Sequence, residues 1–357
     1  MGGRLLELRS GGLVQTGGLF ERVAHGASLF VFDCVMSLLV LSEEDIRKAL
    51  DMASCVEAMA DVLAALERGE ASMPLRFVMR PQPVPPLFGL MPAHRGGGSP
   101  VFSLKEIVVA PANRERGLDP HQGAVLLHDG ETGVLQAVLN ASAITEIRTA
   151  AVSAVATRLL ARPGSRRVAV LGAGIQARAH VDAMRVALPD AEIVLWGKTP
   201  DRARELADEV GIAQAASVDE ALEGADVICT TTAAREPIVF GASFAPGVHL
   251  NVVGASVPTS REVDAEAIVR SSLFVDRRES TVNEAGDYLF AVQEAGIGPD
   301  HIRAELGEVL TGAHPGRTSD DEITLFKSLG LAVEDLASAE LCVARAREHG
   351  LGSTVDF

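Results

Sequence analysis

The stretch Arg166-Arg-Val-Ala-Val-Leu-Gly-Ala-Gly-Ile-Gln-Ala177 decides the fold, because an apolar β-branched run breaks into two glycines and an alanine just before a helical pattern. Gly172 suits the tight turn after the strand, Gly174 lets backbone N–H groups approach a pyrophosphate with no Cβ between, and Ala177 keeps the next helix close to the sheet. Ala173, Ile175 and Gln176 complete a turn whose helix N-terminus faces the phosphates. Ordinary strand-to-helix turns share this pattern, so the preceding strand and following helix are what mark a dinucleotide site.

Working outward, the next strand, Glu192-Ile-Val-Leu-Trp-Gly-Lys-Thr199, lacks the terminal acid that would hydrogen-bond the ribose hydroxyls of NAD. Gly197 leaves room instead. Lys198, with Thr199 beside it and Arg202 one helical turn on, brings positive charge to where a 2′-phosphate would sit, so NADPH is expected over NADH, with NADH still usable. Further strands at 168–171, 193–196, 227–231, 250–253 and 273–275 alternate with helices, which implies a parallel sheet with right-handed crossovers. On the N-terminal side, Ser42-Glu43-Glu44-Asp45 starts a helix, and Ile46, Leu50, Val56, Met59, Leu63 and Leu66 recur at helical spacing. Short strands at 77–79, 102–109, 124–128 and 135–139, separated by turn residues, suggest an antiparallel sheet. A helix over 144–160 leads into the nucleotide motif. The pattern over 325–348 reads as a C-terminal helix long enough to return to the first domain.

With 357 residues, 47% hydrophobic content and 34 glycines, the chain fits two domains with an α/β core. A net charge of −16 argues against nucleic acid or an anionic membrane as partner, so any anionic substrate needs local positive charge. Cys34, Cys55, Cys229 and Cys342 form no C-x-x-C pair and read as reduced thiols of a cytoplasmic protein, and the nine scattered histidines give no metal pattern. Residues 1–35 carry three Gly-Gly pairs and no clear period. The apolar run over 29–41 is short, broken by Asp33 and without a small-residue cleavage site, which argues against a signal peptide and more strongly against a membrane span. Met36 is the expected natural start, with residues 1–35 a leader outside the fold.

From about Met36 onward the chain resembles the ornithine cyclodeaminase/mu-crystallin family. The resemblance rests on Met91-Pro-Ala, Lys105, Gly117-Leu118 with His121-Gln122, Ile144-Thr-Glu-Ile-Arg-Thr-Ala-Ala151, Leu171-Gly-Ala-Gly-Ile-Gln-Ala177, Val253-Gly-Ala-Ser256, Ala304-Glu-Leu-Gly-Glu308 and Phe326-Lys-Ser-Leu-Gly330. It implies an α/β fold in which a Rossmann dinucleotide-binding domain, 143–317, is inserted into an α+β substrate-binding and dimerisation domain, 36–142 plus 318–357. It also implies a homodimer acting on a small imino or amino acid. Arg76 and Arg148 would clamp a carboxylate, where the planar guanidinium offers paired hydrogen bonds, although a lone arginine is ordinarily a surface or ion-pair residue. Met91 would line the substrate site. Lys105 would stand at the reacting carbon and relay a proton, its pKa lowered by burial and nearby arginines. Thr232, Val253 and Ser256 would line the nicotinamide side at the carboxyl ends of the strands, Ser328 at the start of the returning helix would cap that pocket, and Thr149 would join the cofactor site.

Two departures narrow the expectation. Members that close ornithine to proline carry a glutamate two residues before the methionine of Met-Pro and an aspartate two residues after the glycine of Gly-Ala. Gly89 and Ser256 stand there in this chain. Without those carboxylates the pattern is similar to the mu-crystallin branch, and the implied reaction is NADPH-dependent reduction of a cyclic 2-imino acid, Δ1-pyrroline-2-carboxylate or Δ1-piperideine-2-carboxylate, to proline or pipecolate. The alternatives are ornithine cyclodeamination, an alanine or opine-type dehydrogenase, and a protein that binds NADPH and a small ligand without turnover.

Overall fold

The computed structural model describes residues 37–81 and 86–357, together with a three-stranded antiparallel meander of β1 (Gln15–Thr16), β2 (Leu19–Ala24) and β3 (Ala27–Val31). Beyond those strands, the leader assigned to residues 1–35 lies outside the described residues.

Two eight-stranded sheets organise the rest. The first contains β4 (Ser37–Leu41), β5 (Ala71–Ser72), β6 (Phe77–Met79), β7 (Leu87–Arg95), β8 (Val101–Val109), β9 (His121–Asp129) and β10 (Leu135–Asn140), closed at one edge by the final strand, β19 (Ser353–Asp356). Its order is β19-β4-β10-β9-β8-β7-β5, with β6 also on β7, and only the β4/β10 pair is parallel. The second holds β11 (Arg167–Leu171), β12 (Glu192–Trp196), β13 (Ala213–Gln214), β14 (Val227–Thr230), β15 (His249–Val252), β16 (Ser272–Val275), β17 (Ile302–Glu305) and β18 (Thr324–Lys327). It is parallel throughout, in the order β13-β12-β11-β14-β15-β18-β16-β17. The chain runs outward from β11 to β13 and then crosses to β14, so the β11/β14 boundary is the switch point where open α/β sheets take ligands.

The helices are α1 (Glu43–Ala49), α2 (Met52–Glu67), α3 (Ala141–Leu160), α4 (Ile175–Ala187), α5 (Pro200–Val210), α6 (Val218–Leu222), α7 (Ala265–Arg270), α8 (Arg278–Glu284), α9 (Gly286–Ala295), α10 (Leu306–Leu310) and α11 (Ala332–His349). α3 joins the two halves. Asn140 caps it, its side chain accepting from Ala143 N at 3.0 Å, and the helix is buried almost all round. Its alanines let α2 and α4 pack closely against it, and a helix buried on nearly every face belongs in a core. Among the described residues, no helix is long and apolar enough to cross a membrane.

Three expectations need correction. The helical stretch read from 46 to 66 is two helices, because Asp51 accepts from Ser54 N at 2.9 Å and starts α2 afresh. Met91-Pro92-Ala93 lies inside β7, which the proline hid from the sequence reading. That proline is tolerated because β6 pairs residues 88–90 and β5 pairs 94–95, leaving Pro92 in the gap where no ladder N–H is required. Residues 324–327 form β18 between β15 and β16 rather than opening the last helix; an apolar run buried on both faces has no period that separates strand from helix. A domain boundary at 318 would therefore cut the nucleotide-binding sheet, and the return to the first sheet comes after Lys327.

Phe326, fully buried on β18, reports this placement. Phe326→Ala should lower the stability to chemical denaturation by about 3–5 kcal/mol, whereas Phe357→Ala at the exposed terminus should change it by less than about 0.5 kcal/mol.

Candidate active site

Strand alternation puts Gly89, Met91 and Lys105 on the inner face of the first sheet, where Met91, Lys105, Val125 and Leu139 form one cross-strand row. That face is covered by α3 and α11. α3 brings Arg148, and α11 brings Glu334 and Asp335. Lys105 Nζ pairs with Asp335 Oδ2 at 2.6 Å and lies 3.5 Å from Thr145 Oγ1. Arg148 donates from Nε to Asp335 Oδ1 at 3.0 Å and from Nη1 to Glu334 Oε2 at 2.8 Å. All four side chains are buried. Burial pushes the Lys105 ammonium pKa down to about 8 against the pull of Asp335, and pushes Glu334 up to about 7 against Arg148. A lysine held there can exchange a proton near neutral pH.

The turn between β18 and α11 packs on this cluster. Gly330 has φ +79°, and a Cβ there would collide with the Arg148 guanidinium, so the position serves both a left-handed turn and a close approach. Asp276 holds the turn by accepting from Leu329 N at 2.6 Å and Gly330 N at 2.8 Å. Arg76 reaches the same junction from the loop before β6. It pairs with Glu284 at 2.7 Å and lies 3.4 Å from the carbonyls of Ser256 and Leu329. Met73, Arg76, Met91, Glu284, Gly330 and Ala332 line the small pocket between the two sheets. Arg76, Met91, Lys105 and Arg148 thus converge on one junction. The acidic residues Glu284, Glu334, Asp335 and Asp276 were missed, although two acids inside the apolar run Leu331-Ala-Val-Glu-Asp-Leu-Ala are a signal of buried charge.

The dinucleotide motif fits the group expected there. Gly172 has φ +142°, and a Cβ would strike Thr231 Oγ1. Gly174 begins α4 without a side-chain cap and faces open space, so the first-turn N–H groups are available to an anion. Ala173, Ile175 and Gln176 surround that entrance, Ile175 being half-exposed, and Gln176 reaches back to Thr145 O at 3.5 Å. Gly197 packs beneath the turn, where a Cβ would lie 2.7 Å from that of Ala173. Lys198, Thr199 and Arg202 are exposed at the end of β12 and the start of α5. Thr232, Val253 and Ser256 follow β14 and β15 at their carboxyl ends, and Thr149 is buried on α3. Ser328 lies in the loop after β18, its N–H donating to Val252 O at 3.0 Å, rather than at a helix start as expected.

Comparison with known proteins places the chain in a family. The model of the ornithine cyclodeaminase/mu-crystallin family matches residues 36–350. The ketimine reductase mu-crystallin of Mus musculus is 39% identical over 307 residues, 84% of this chain and 95% of that protein. Among solved structures, Thermococcus litoralis Δ1-pyrroline-2-carboxylate reductase, in complex with NADH and L-proline, superposes with a TM-score of 0.83 at 34% identity, covering 89% of this chain and all of that one. An archaeal alanine dehydrogenase dimer with bound NAD gives 0.84 at 30% identity, covering 90% and 100%. On this evidence the chain belongs to the ornithine cyclodeaminase/mu-crystallin family.

Proposed function

We propose that the chain is an NAD(P)H-dependent reductase of a cyclic 2-imino acid, Δ1-pyrroline-2-carboxylate or Δ1-piperideine-2-carboxylate, giving proline or pipecolate. The observation that carries this is the buried Lys105–Asp335–Arg148 cluster, set on the inner face of the first sheet at the carboxyl ends of the dinucleotide-binding strands. The relatives that reduce ketimines and pyrroline-2-carboxylate support the same reading.

The bound dinucleotide would supply hydride from C4 of its nicotinamide. The protein's share is binding, orientation and a proton. Arg148, whose Nη2 makes no hydrogen bond among the described residues, and Arg76, once released from Glu284, hold the substrate carboxylate. Lys105 donates a proton to the imine nitrogen, leaving a more electrophilic C2. With the nitrogen protonated, C2 would be the carbon that accepts that hydride, the C=N π pair passing to nitrogen to give the secondary amine. Asp335 holds Lys105 in place and stabilises its charged form before the transfer. Gly89 shares the face of Met91 and Lys105, so a glutamate at 89 would point into the site; with glycine there and Ser256 opposite, the carboxylates expected for handling an ornithine amine are absent.

The exposed Lys198 and Arg202 support NADPH as the preferred donor. The outward face of the first sheet supports a homodimer: Pro92, Leu104, Leu126, Val138 and Val40 form a continuous apolar row across five strands, each partly or fully exposed.

Four outcomes are expected. Purified protein should oxidise NADPH at 340 nm with the cyclic imines and not with pyruvate plus ammonia; ammonia release from ornithine with NAD, or activity confined to pyruvate, would replace this reading with cyclodeamination or alanine dehydrogenation. Lys105→Met should lower kcat by about 100-fold or more while leaving the Kd of NADPH within about twofold, and equal loss of both would make the lysine structural. Replacing Lys198 and Arg202 together by alanine should raise the KM of NADPH about tenfold and leave that of NADH nearly unchanged. Leu126→Glu should convert a dimer to a monomer in sedimentation, and an unchanged mass would place the contact elsewhere.

A further inference from the structure

We propose that Glu262, Asp287 and Lys327 are positioning residues that hold the two loops beside the nicotinamide and so govern affinity for that end of the dinucleotide without touching it. The inference rests on the reading that the nicotinamide lies at the carboxyl ends of β14 and β15.

Glu262 is fully buried between those loops. Its Oε1 accepts from Thr232 N at 2.6 Å and Thr232 Oγ1 at 2.7 Å, and its Oε2 accepts from Gly254 N at 2.6 Å and Thr230 Oγ1 at 2.8 Å. One carboxylate therefore gathers four donors from the ends of two neighbouring strands. The loops meet closely: a Cβ on Gly254 would strike the Thr232 backbone and the Glu262 carboxylate. Behind Glu262, Asp287 Oδ1 accepts from Glu262 N at 2.7 Å and Val263 N at 3.1 Å, fixing the segment that presents the glutamate. Lys327, buried at the end of β18, pairs with Asp287 Oδ2 at 2.9 Å and donates to Ala255 O at 2.7 Å. The Val253–Ser256 loop is thus tied at Gly254 from one side and at Ala255 from the other.

Stability alone gives a poor account of this arrangement. Two carboxylates and one ammonium lose their hydration here, and well-packed apolar side chains of the same volume often serve a core as well or better. Charge at this place supplies directional anchors for backbone N–H and C=O groups, and those anchors sit at the ends of β14 and β15, where the sheet ladder gives way to the loops.

Glu262→Gln is the informative change. The amide oxygen can still accept from Thr232, but the amide nitrogen then faces the N–H of Gly254, donor against donor. Binding of NADH, followed by its fluorescence, should weaken about tenfold, while binding of ADP-ribose, which lacks the nicotinamide, should stay within about twofold by calorimetry. Thr230→Val removes one of the four donors with little change of shape, and should give the same selective loss at about threefold. Equal weakening of both ligands, or no weakening in either variant, would overturn the proposal. If Glu262→Gln does not fold, Thr230→Val decides alone. Failure of the unaltered protein to bind NADH would instead remove the dinucleotide reading itself.

Discussion

The carboxylate of Asp335 is shared between Lys105 and Arg148, and the rest of the site depends on that division. It ties β8, α3 and α11 together at a point none of them could occupy alone, since each would bury an unpaired charge. Both cations stay charged enough to meet an anion, while burial keeps the lysine close to releasing its proton. Glu334 adds a second anchor by taking another nitrogen of Arg148.

This constraint explains why the chain leaves the first sheet, builds a complete parallel sheet and returns. Lys105 comes from the first sheet, Arg148 from the helix that leads out, and Asp335 from the helix that comes back. β18 precedes that helix, so the turn at Leu329–Gly330, anchored by Asp276, places the carboxyl end of the nucleotide sheet against the cluster. Arg76 adds a second bridge through Glu284 on α8. Substrate and cofactor ends of the site are therefore joined by side chains rather than by a flexible linker.

Much of this was legible in the sequence because the decisive signals are local. The Gly172–Ala177 turn, the alternating strands and the absence of acid after β12 each need fewer than ten neighbouring residues. Lys105 within an apolar strand and Arg148 on a helix face were identified with the help of the family resemblance. The partners Asp335, Glu334 and Glu284 were not, since each lies more than 180 residues along the chain from the arginine it serves and only the fold brings them together. β7 and β18 were missed for opposite reasons: Pro92 disguised a strand whose partners leave a gap for it, and the run ending at Lys327 carries no period because both its faces are buried.

The dependence of kcat/KM on pH, measured for the unaltered protein and for Asp335→Asn with a cyclic imine and saturating NADPH, tests the central claim most directly. Activity should fall as pH rises through about 8, where Lys105 loses its proton. Removing the Asp335 charge takes away the attraction that favours the ammonium, so the same limb should move to lower pH in the variant. A limb unmoved by Asp335→Asn would belong to the substrate rather than the enzyme, and would contradict the assignment of Lys105 as proton donor.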